Sequence, residues 1–211
     1  MCAGVFGLLL LAFSVEALDV KIESYHEARR SGALGVVAGR VAAEPRTLGA
    51  PPQPFTGTTV RLLPRSEALL QKLEGFRGAS RDSSRAFAAA APAMRQAYEA
   101  YERHLLEAGA PDLTPVVLVD QDGRFRIEDV PAGSWMLIAW RGVPVDVSAP
   151  ALKDKQRDRY RPQTRLHGYQ AVTVWLRELT VAAGATATVD LTDRNGWFRG
   201  VAEERVLDTG R

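Results

Sequence analysis

The sequence has 211 residues, of which 46% are hydrophobic and 25% charged, and its 27 Lys and Arg oppose 25 Asp and Glu. These values are typical of one folded domain and exclude disorder for most of the chain. A net charge of +2 is too small to favour double-stranded nucleic acid as a partner. The single cysteine, Cys2, excludes a disulfide framework within the chain and a cysteine-based zinc site.

The N-terminus has the pattern of a secretory signal peptide. Residues 3–15 form an uncharged apolar run that is too short to span a bilayer comfortably. Val15 and Ala17 suit the −3 and −1 positions of a cleavage site, although no Lys or Arg precedes the apolar run. We predict a signal peptide over residues 1–17 and a periplasmic or extracellular mature chain, with an uncleaved anchor or a buried segment as the alternatives.

The predicted mature chain divides into a short N-terminal segment, one domain and a short tail. Residues 18–33 are polar and mixed in charge, and we predict a flexible segment there. Alternating apolar residues begin at Leu34, and a second alternating run precedes Pro64. We predict a β-sandwich domain over residues 34–203 and a C-terminal tail over residues 204–211.

Between residues 66 and 109 the apolar period changes from two to about 3.6, which indicates helix. Ser66 is placed to cap a first helix, and Asp82 or Ser83 to cap a second. Pro92 lies inside the second helix and is predicted to bend or divide it. We predict an antiparallel helical hairpin over residues 66–109, with apolar stripes formed by Leu69, Leu70, Leu73 and Phe76 and by Phe87, Met94, Tyr98, Tyr101 and Leu105.

Alternating apolar runs return after Pro111, separated by short turns. The Asp122-Gly123 pair between two such runs indicates a hairpin, and Asn195-Gly196 marks a later turn. The whole pattern predicts a mainly β fold, an antiparallel immunoglobulin-like or transthyretin-like sandwich of about seven strands with the helical hairpin inserted.

One segment resembles a known domain family. Residues 122–137, DGRFRIEDVPAGSWML, resemble the core of the carboxypeptidase regulatory-like, transthyretin-like domains, with a turn and strand followed by V-P-x-G and an aromatic-x-Leu strand. The similarity extends over residues 34–63 and 114–191, and the helical hairpin and the long segment at 147–167 depart from it. The resemblance implies an accessory β-sandwich on exported peptidases, transporters or surface proteins, without chemistry of its own.

No motif for catalysis or metal binding stands out. His26, His104 and His167 lie far apart in the sequence, and neither a G-x-S-x-G nor a Walker motif is present. Asp120-x-Asp122-Gly123 has the opening of a calcium loop, but a hairpin turn explains it better because the later acidic ligands are missing. An isourate hydrolase and a zinc carboxypeptidase are disfavoured for lack of their motifs. We predict no catalytic residue, no cofactor and no metal site.

A basic segment provides the candidate contact residues. Residues 153–165 contain six basic and two acidic side chains. We predict that Arg157, Arg159, Tyr160 and Arg161 contact an anionic ligand or partner. The alternative is a solvated loop whose charges pair with nearby acids.

These patterns predict a non-enzymatic, exported binding or scaffolding module of the bacterial cell envelope. The predicted partner is an envelope protein or a glycan, with no nucleic acid and no membrane span in the mature chain. The alternative is a carbohydrate-binding module with a starch-binding-like fold, and a third hypothesis is a small enzyme whose site assembles from loops.

The placement of tryptophans distinguishes the first two hypotheses. Alternation puts Trp135 on one face of its strand and Trp140 on the other, and both faces are apolar. Because a second apolar face needs a cover, we predict that Trp140 is buried beneath the helical hairpin, with Trp175 partly covered beside it. The alternative is that these two rings form an exposed platform that stacks on sugar rings.

Overall fold

The computed structural model describes residues 18–47, 49–145 and 164–207, with side chains described up to residue 203 except at 164–167. The predicted signal peptide at residues 1–17 lies outside these ranges. Three layers pack on one another: a four-stranded sheet A, a five-stranded sheet B and a helical layer.

Sheet A is built around its first strand. Its strands are β1 (Leu34–Ala43), β2 (Gln53–Pro54), β5 (Arg124–Pro131) and β8 (Thr186–Thr192). Strands β5 and β2 pair antiparallel with β1, whereas β8 pairs parallel with β1 along the opposite side. The described strands thus form the predicted β-sandwich, with β1 and β8 as a parallel pair among antiparallel ones.

Sheet B is antiparallel throughout. Its strands are β3 (Thr59–Pro64), β4 (Val116–Leu118), β6 (Gly133–Val145), β7 (Thr164–Val181) and β9 (Phe198–Leu207), in the order β4-β3-β6-β7-β9. The described residues therefore form nine strands where about seven were predicted. Strand β9 continues to Leu207, beyond the predicted end of the domain at residue 203.

The Asp122-Gly123 turn is tight but is not a hairpin. The Oδ1 atom of Asp120 accepts hydrogen bonds from the backbone N–H of Asp122 at 2.9 Å and of Arg124 at 2.7 Å. Gly123 has a φ of 77°, and a Cβ there would lie 2.9 Å from the carbonyl oxygen of Val41. Because β4 pairs in sheet B and β5 in sheet A, the turn carries the chain from one sheet to the other.

The two sheets enclose the first hydrophobic core. Sheet A contributes Val37, Val41, Phe125, Ile127, Val130 and Leu191, and sheet B contributes Val60, Leu62, Trp135, Leu137, Ala139 and Trp175. The indole N–H of Trp135 donates to the carbonyl oxygen of Pro131 at 2.9 Å, so this buried ring is both packed and hydrogen-bonded.

The predicted helical hairpin is present and forms the second core with the outer face of sheet B. Its helices are α2 (Glu67–Ala79) and α3 (Ser84–Glu107). The hydroxyl oxygens of Ser66 and Ser83 cap them, accepting from the N–H of Leu69 at 3.0 Å and of Ala86 at 3.1 Å. Helix α3 is continuous through Pro92, so the proline does not divide it.

Both faces of β6 are apolar and covered, as predicted, but the predicted position of Trp175 is wrong. Trp140 lies on the hairpin side as predicted, with its ring centroid 6.4 Å from that of Tyr98, but it is half-buried where full burial was predicted. Trp175 is fully buried between the sheets, because it pairs with Ala139 of β6 and therefore shares that residue's inward face. Trp140 and Trp175 thus lie on opposite faces and do not form a shared platform.

The segment before β1 is helical and packed, which corrects the prediction of a flexible segment. Helix α1 (Ile22–Arg30) inserts Tyr25 into the first core, where its ring centroid lies 5.0 Å from that of Trp135. The Tyr25 hydroxyl donates to the carbonyl oxygen of Ser134, and burial raises the pKa of this phenol. Sequence periodicity missed the helix because this nine-residue segment has only Ile22, Tyr25 and Ala28 as apolar residues, too few to establish a period of 3.6.

Among the described residues, no helix combines the length and the apolar character that crossing a membrane requires.

Candidate binding groove beside helix α2

A concave groove lies on the described surface beside α2, and we call it the α2 groove. Its volume is about 370 Å³, at the lower end of the range for small-molecule sites. It is lined by Arg65, Glu67, Leu70, Gln71, Glu74, Leu176, Glu178 and Trp197.

The chain order explains how these side chains meet. Arg65 follows the end of β3, and the Ser66 cap starts α2 directly after it. Glu67, Gln71 and Glu74 follow at helical spacing and are exposed. The opposite wall comes from β7 and from Trp197, which lies between the Asn195-Gly196 turn and the start of β9.

The floor of the α2 groove is apolar and its walls are polar. Leu70 and Leu176 are nearly buried, with 9% and 8% of their surfaces exposed. Charged and amide side chains surround them on both sides. This is the usual composition of a small-ligand site, an apolar base with a few polar groups that fix orientation.

Trp197 is held in place by two charged neighbours. Its indole N–H donates to Oε1 of Glu74 at 3.1 Å, and the guanidinium carbon of Arg77 lies 4.9 Å from its ring centroid. Arg77 also pairs with Glu74, at 2.8 Å. The ring is half-buried and presents its remaining surface to the groove.

Arg65 links the two walls of the α2 groove. Its guanidinium donates to Glu178 at 2.5 Å and to Glu67 at 2.9 Å. Hydrogen bonds to Glu178 and then to Glu67 raise the pKa of this arginine above its ordinary value. Glu67 also accepts from the side-chain amide of Gln71 at 3.2 Å, so one network extends from α2 to β7.

The N-terminal segment holds the start of α2 in position. Oδ2 of Asp19 accepts a hydrogen bond from the backbone N–H of Ala68 at 2.8 Å. Burial acts to raise the pKa of Asp19, but hydrogen bonds from Ser66, Ala68 and neighbouring backbone amides outweigh it and lower the pKa. Asp19 and Ser66 together satisfy the first free amides of the helix that forms one wall of the groove.

The chemistry of the α2 groove favours binding over proton transfer. Each of its three carboxylates, on Glu67, Glu74 and Glu178, already contacts an arginine. Ion-paired carboxylates act as fixed hydrogen-bond acceptors, which suits ligands that carry hydroxyl groups. No group of three or more potential metal ligands occurs in the described part of the chain.

The candidate contacts predicted from the sequence, Arg157, Arg159, Tyr160 and Arg161, lie outside the described residues. Two histidines are described with their side chains: His26 lies 3.7 Å from Asp112, and His104 lies in the last turn of α3. The α2 groove was not predicted from the sequence. The exposed spacing of Glu67, Gln71 and Glu74 is that of an ordinary solvated helix face, so no local signal could have indicated the groove.

Comparison with known proteins yields remote similarity only. No protein-family model and no curated protein matches the sequence, so the resemblance to the carboxypeptidase regulatory-like family stays a prediction. Among solved structures, a candidate carbohydrate-binding protein of Pseudomonas aeruginosa is 17% identical with a TM-score of 0.40, covering 83% of this chain and 99% of that one.

Two Gram-positive structures are also similar. The minor pilin GBS52 of Streptococcus agalactiae is 9% identical with a TM-score of 0.31, covering 85% of this chain and 48% of that one. The TIE protein of Bacillus anthracis is 9% identical with a TM-score of 0.32, covering 83% of this chain and 26% of that one. All three TM-scores lie below 0.5, a similarity that does not transfer a function from one chain to another.

Proposed function

We propose that this chain is an exported, non-enzymatic binding module of the bacterial cell envelope and that the α2 groove binds a neutral glycan. The observation that carries the proposal is the Trp197 ring, fixed by Glu74 and Arg77 beside an apolar floor. An aromatic ring next to fixed hydrogen-bond acceptors matches a sugar, which has an apolar face and a rim of hydroxyl groups.

Charge and size favour a neutral glycan over other ligands. Three carboxylates and two guanidinium groups surround the groove, so an anionic ligand would meet repulsion there. A volume of about 370 Å³ suits one or a few sugar units better than a folded protein partner, which needs a larger surface. Export itself is supported by the signal-peptide pattern of residues 1–17.

Calorimetric titration with neutral oligosaccharides tests this proposal. The full mature chain is titrated with glucose, mannose and N-acetylglucosamine oligomers, and Trp197→Ala is expected to weaken binding at least ten-fold because the stacking surface is lost. Trp140→Ala is the matched control, because Trp140 is also half-buried but lies under α3 at the contact with Tyr98. Binding that is unchanged in Trp197→Ala, or that depends on Trp140, contradicts the proposal.

A further inference from the structure

The outer face of sheet A is exposed and has an unusual charge arrangement. Val37 and Val41 of β1 point into the first core, so the alternate residues Ala38 and Arg40 point outward. The outward residues of the two neighbouring strands are Arg124, Arg126 and Glu128 of β5 and Thr186, Thr188 and Asp190 of β8, all exposed.

Two arginines lie directly opposite each other on this face. Arg40 pairs with Arg124 in the antiparallel β1–β5 ladder. Like charges at directly opposite positions of such a ladder destabilise it. Within the described part of the chain, no carboxylate lies within ion-pair distance of either guanidinium.

Arg40 also carries a buried donor without a partner. Its Nε atom is shielded from solvent and has no hydrogen-bond acceptor among the described residues. A shielded N–H without an acceptor is costly to the folded state. Because solvent does not reach this Nε atom, an external anion does not reach it either. An anion held between the other nitrogens of Arg40 and Arg124 would relieve the repulsion between the two guanidinium groups.

We propose that Arg40 and Arg124 form a binding site for a sulfate or carboxylate group carried by an anionic polysaccharide. Guanidinium groups bind such oxyanions through paired N–H donors. Arg126 lies about 7 Å further along β5 and extends the positive row, while its partner Glu128 is 2.7 Å away. This site lies on sheet A, is independent of the α2 groove and takes ligands of opposite character.

The shape of the face favours a polysaccharide over other anions. A free ion would need an enclosed site, and this face is an open sheet surface. Single-stranded nucleic acid stacks on aromatic rings, and the described outer face of sheet A has none. The hydroxyls of Thr186 and Thr188 lie two residues apart along β8, where they can hydrogen-bond to sugar hydroxyls.

Asp190 is the internal competitor for this site. It pairs with Arg40 in the parallel β1–β8 ladder, on the side opposite to Arg124, but makes no ion pair with it. Its carboxylate repels an incoming anion at short range. Removing an arginine should therefore weaken the binding of the polyanion, whereas neutralising Asp190 should strengthen it.

The test measures binding of dextran sulfate to the full mature chain, with uncharged dextran as the reference. All variants carry Arg157→Ser, Arg159→Ser and Arg161→Ser, so that the basic segment does not contribute. Arg40→Gln with Arg124→Gln is expected to lower the affinity at least ten-fold, and Asp190→Asn to raise it two-fold or more. Arg103→Gln, which removes an exposed charge from α3, is the control with an expected change below two-fold.

Three outcomes overturn the proposal. They are an arginine double variant that binds like Arg103→Gln, equal binding of charged and uncharged dextran, and inorganic sulfate that competes as well as the polymer per sulfate group. A thermal melt tests whether the double variant is folded. Because the substitutions remove opposed like charges, its Tm should be equal to or higher than that of the parent protein. Replacing both arginines with lysine provides a second variant, which keeps the charge, loses the paired donors and should weaken binding to a smaller extent.

Discussion

Asp19 accepts a hydrogen bond from the backbone amide of Ala68 and so joins the N-terminal segment to the first turn of α2. The two residues are 49 positions apart in the sequence. The contact makes the segment before α1 a structural part of the wall of the α2 groove, and it provides the first prediction.

Asp19→Ala should lower stability by about 1 kcal/mol, the usual cost of losing a helix cap. The folded-state pKa of Asp19 is lowered below 3.8, so its contribution is present above the unfolded-state pKa and is lost as pH falls through the folded-state value. Urea unfolding at pH 7 and at pH 2.5 checks this. A difference between the wild type and Asp19→Ala that is as large at pH 2.5 as at pH 7 contradicts it.

The second prediction concerns Tyr98 of α3. Burial raises the pKa of Tyr98 to about 12, with the charges of Arg61 and Arg95 acting in the opposite direction. The unfolded chain releases this proton near pH 10, so stability should fall as pH rises from about 10 to about 12. Tyr98→Phe should show a shallower alkaline loss of Tm than the wild type, whereas an identical alkaline profile would refute this assignment.

Two glycines provide a matched pair of opposite predictions. A Cβ at Gly39 would overlap the carbonyl oxygen of Val189, where β1 and β8 pair closely, so Gly39→Ala should destabilise by more than about 2 kcal/mol. Gly78 is exposed in α2 with nothing within 4 Å, so Gly78→Ala should stabilise by about 0.5–1 kcal/mol. Chemical denaturation of both variants decides whether the β1–β8 pairing is as close as described.

The basic segment remains a separate prediction. If Arg157, Arg159 and Arg161 contact an anionic ligand, its affinity should fall steeply as salt rises to physiological levels, because exposed charges are screened beyond about 8 Å. Replacing all three with Ser should abolish this binding and leave Tm nearly unchanged. Heparin, titrated into wild type and triple variant at two salt concentrations, is the probe; equal binding by the two proteins would favour the solvated loop.

Local sequence patterns predicted the elements of this fold well. Helix caps at Ser66 and Ser83 and the alternation around Trp135 depend on neighbouring residues, and each is confirmed. The parallel β1–β8 pair was not predicted and the position of Trp175 was predicted wrongly, because both depend on which distant strands pair. A shift of one residue in register moves a side chain to the other face, and local alternation does not set that register.

The α2 groove was missed for the same reason. Trp197 and Glu74 are 123 positions apart, and their hydrogen bond exists only because the residue before β9 lies beside α2 in space. The exposed acids of α2 have the spacing of an ordinary solvated helix face, so their pattern alone indicates no function. Their role as groove walls follows from the packing of the hairpin on sheet B.

The most direct test of the proposed function uses the indole N–H signals in a two-dimensional NMR spectrum. Each of the four tryptophans contributes one signal, and Trp135 and Trp175 have buried indoles bonded to the backbone. Titration with the neutral oligosaccharide that binds in calorimetry should shift the Trp197 signal and leave the other three in place, because Trp197 alone lines the α2 groove. If the oligosaccharide binds and the Trp197 signal does not shift, the proposed function is contradicted.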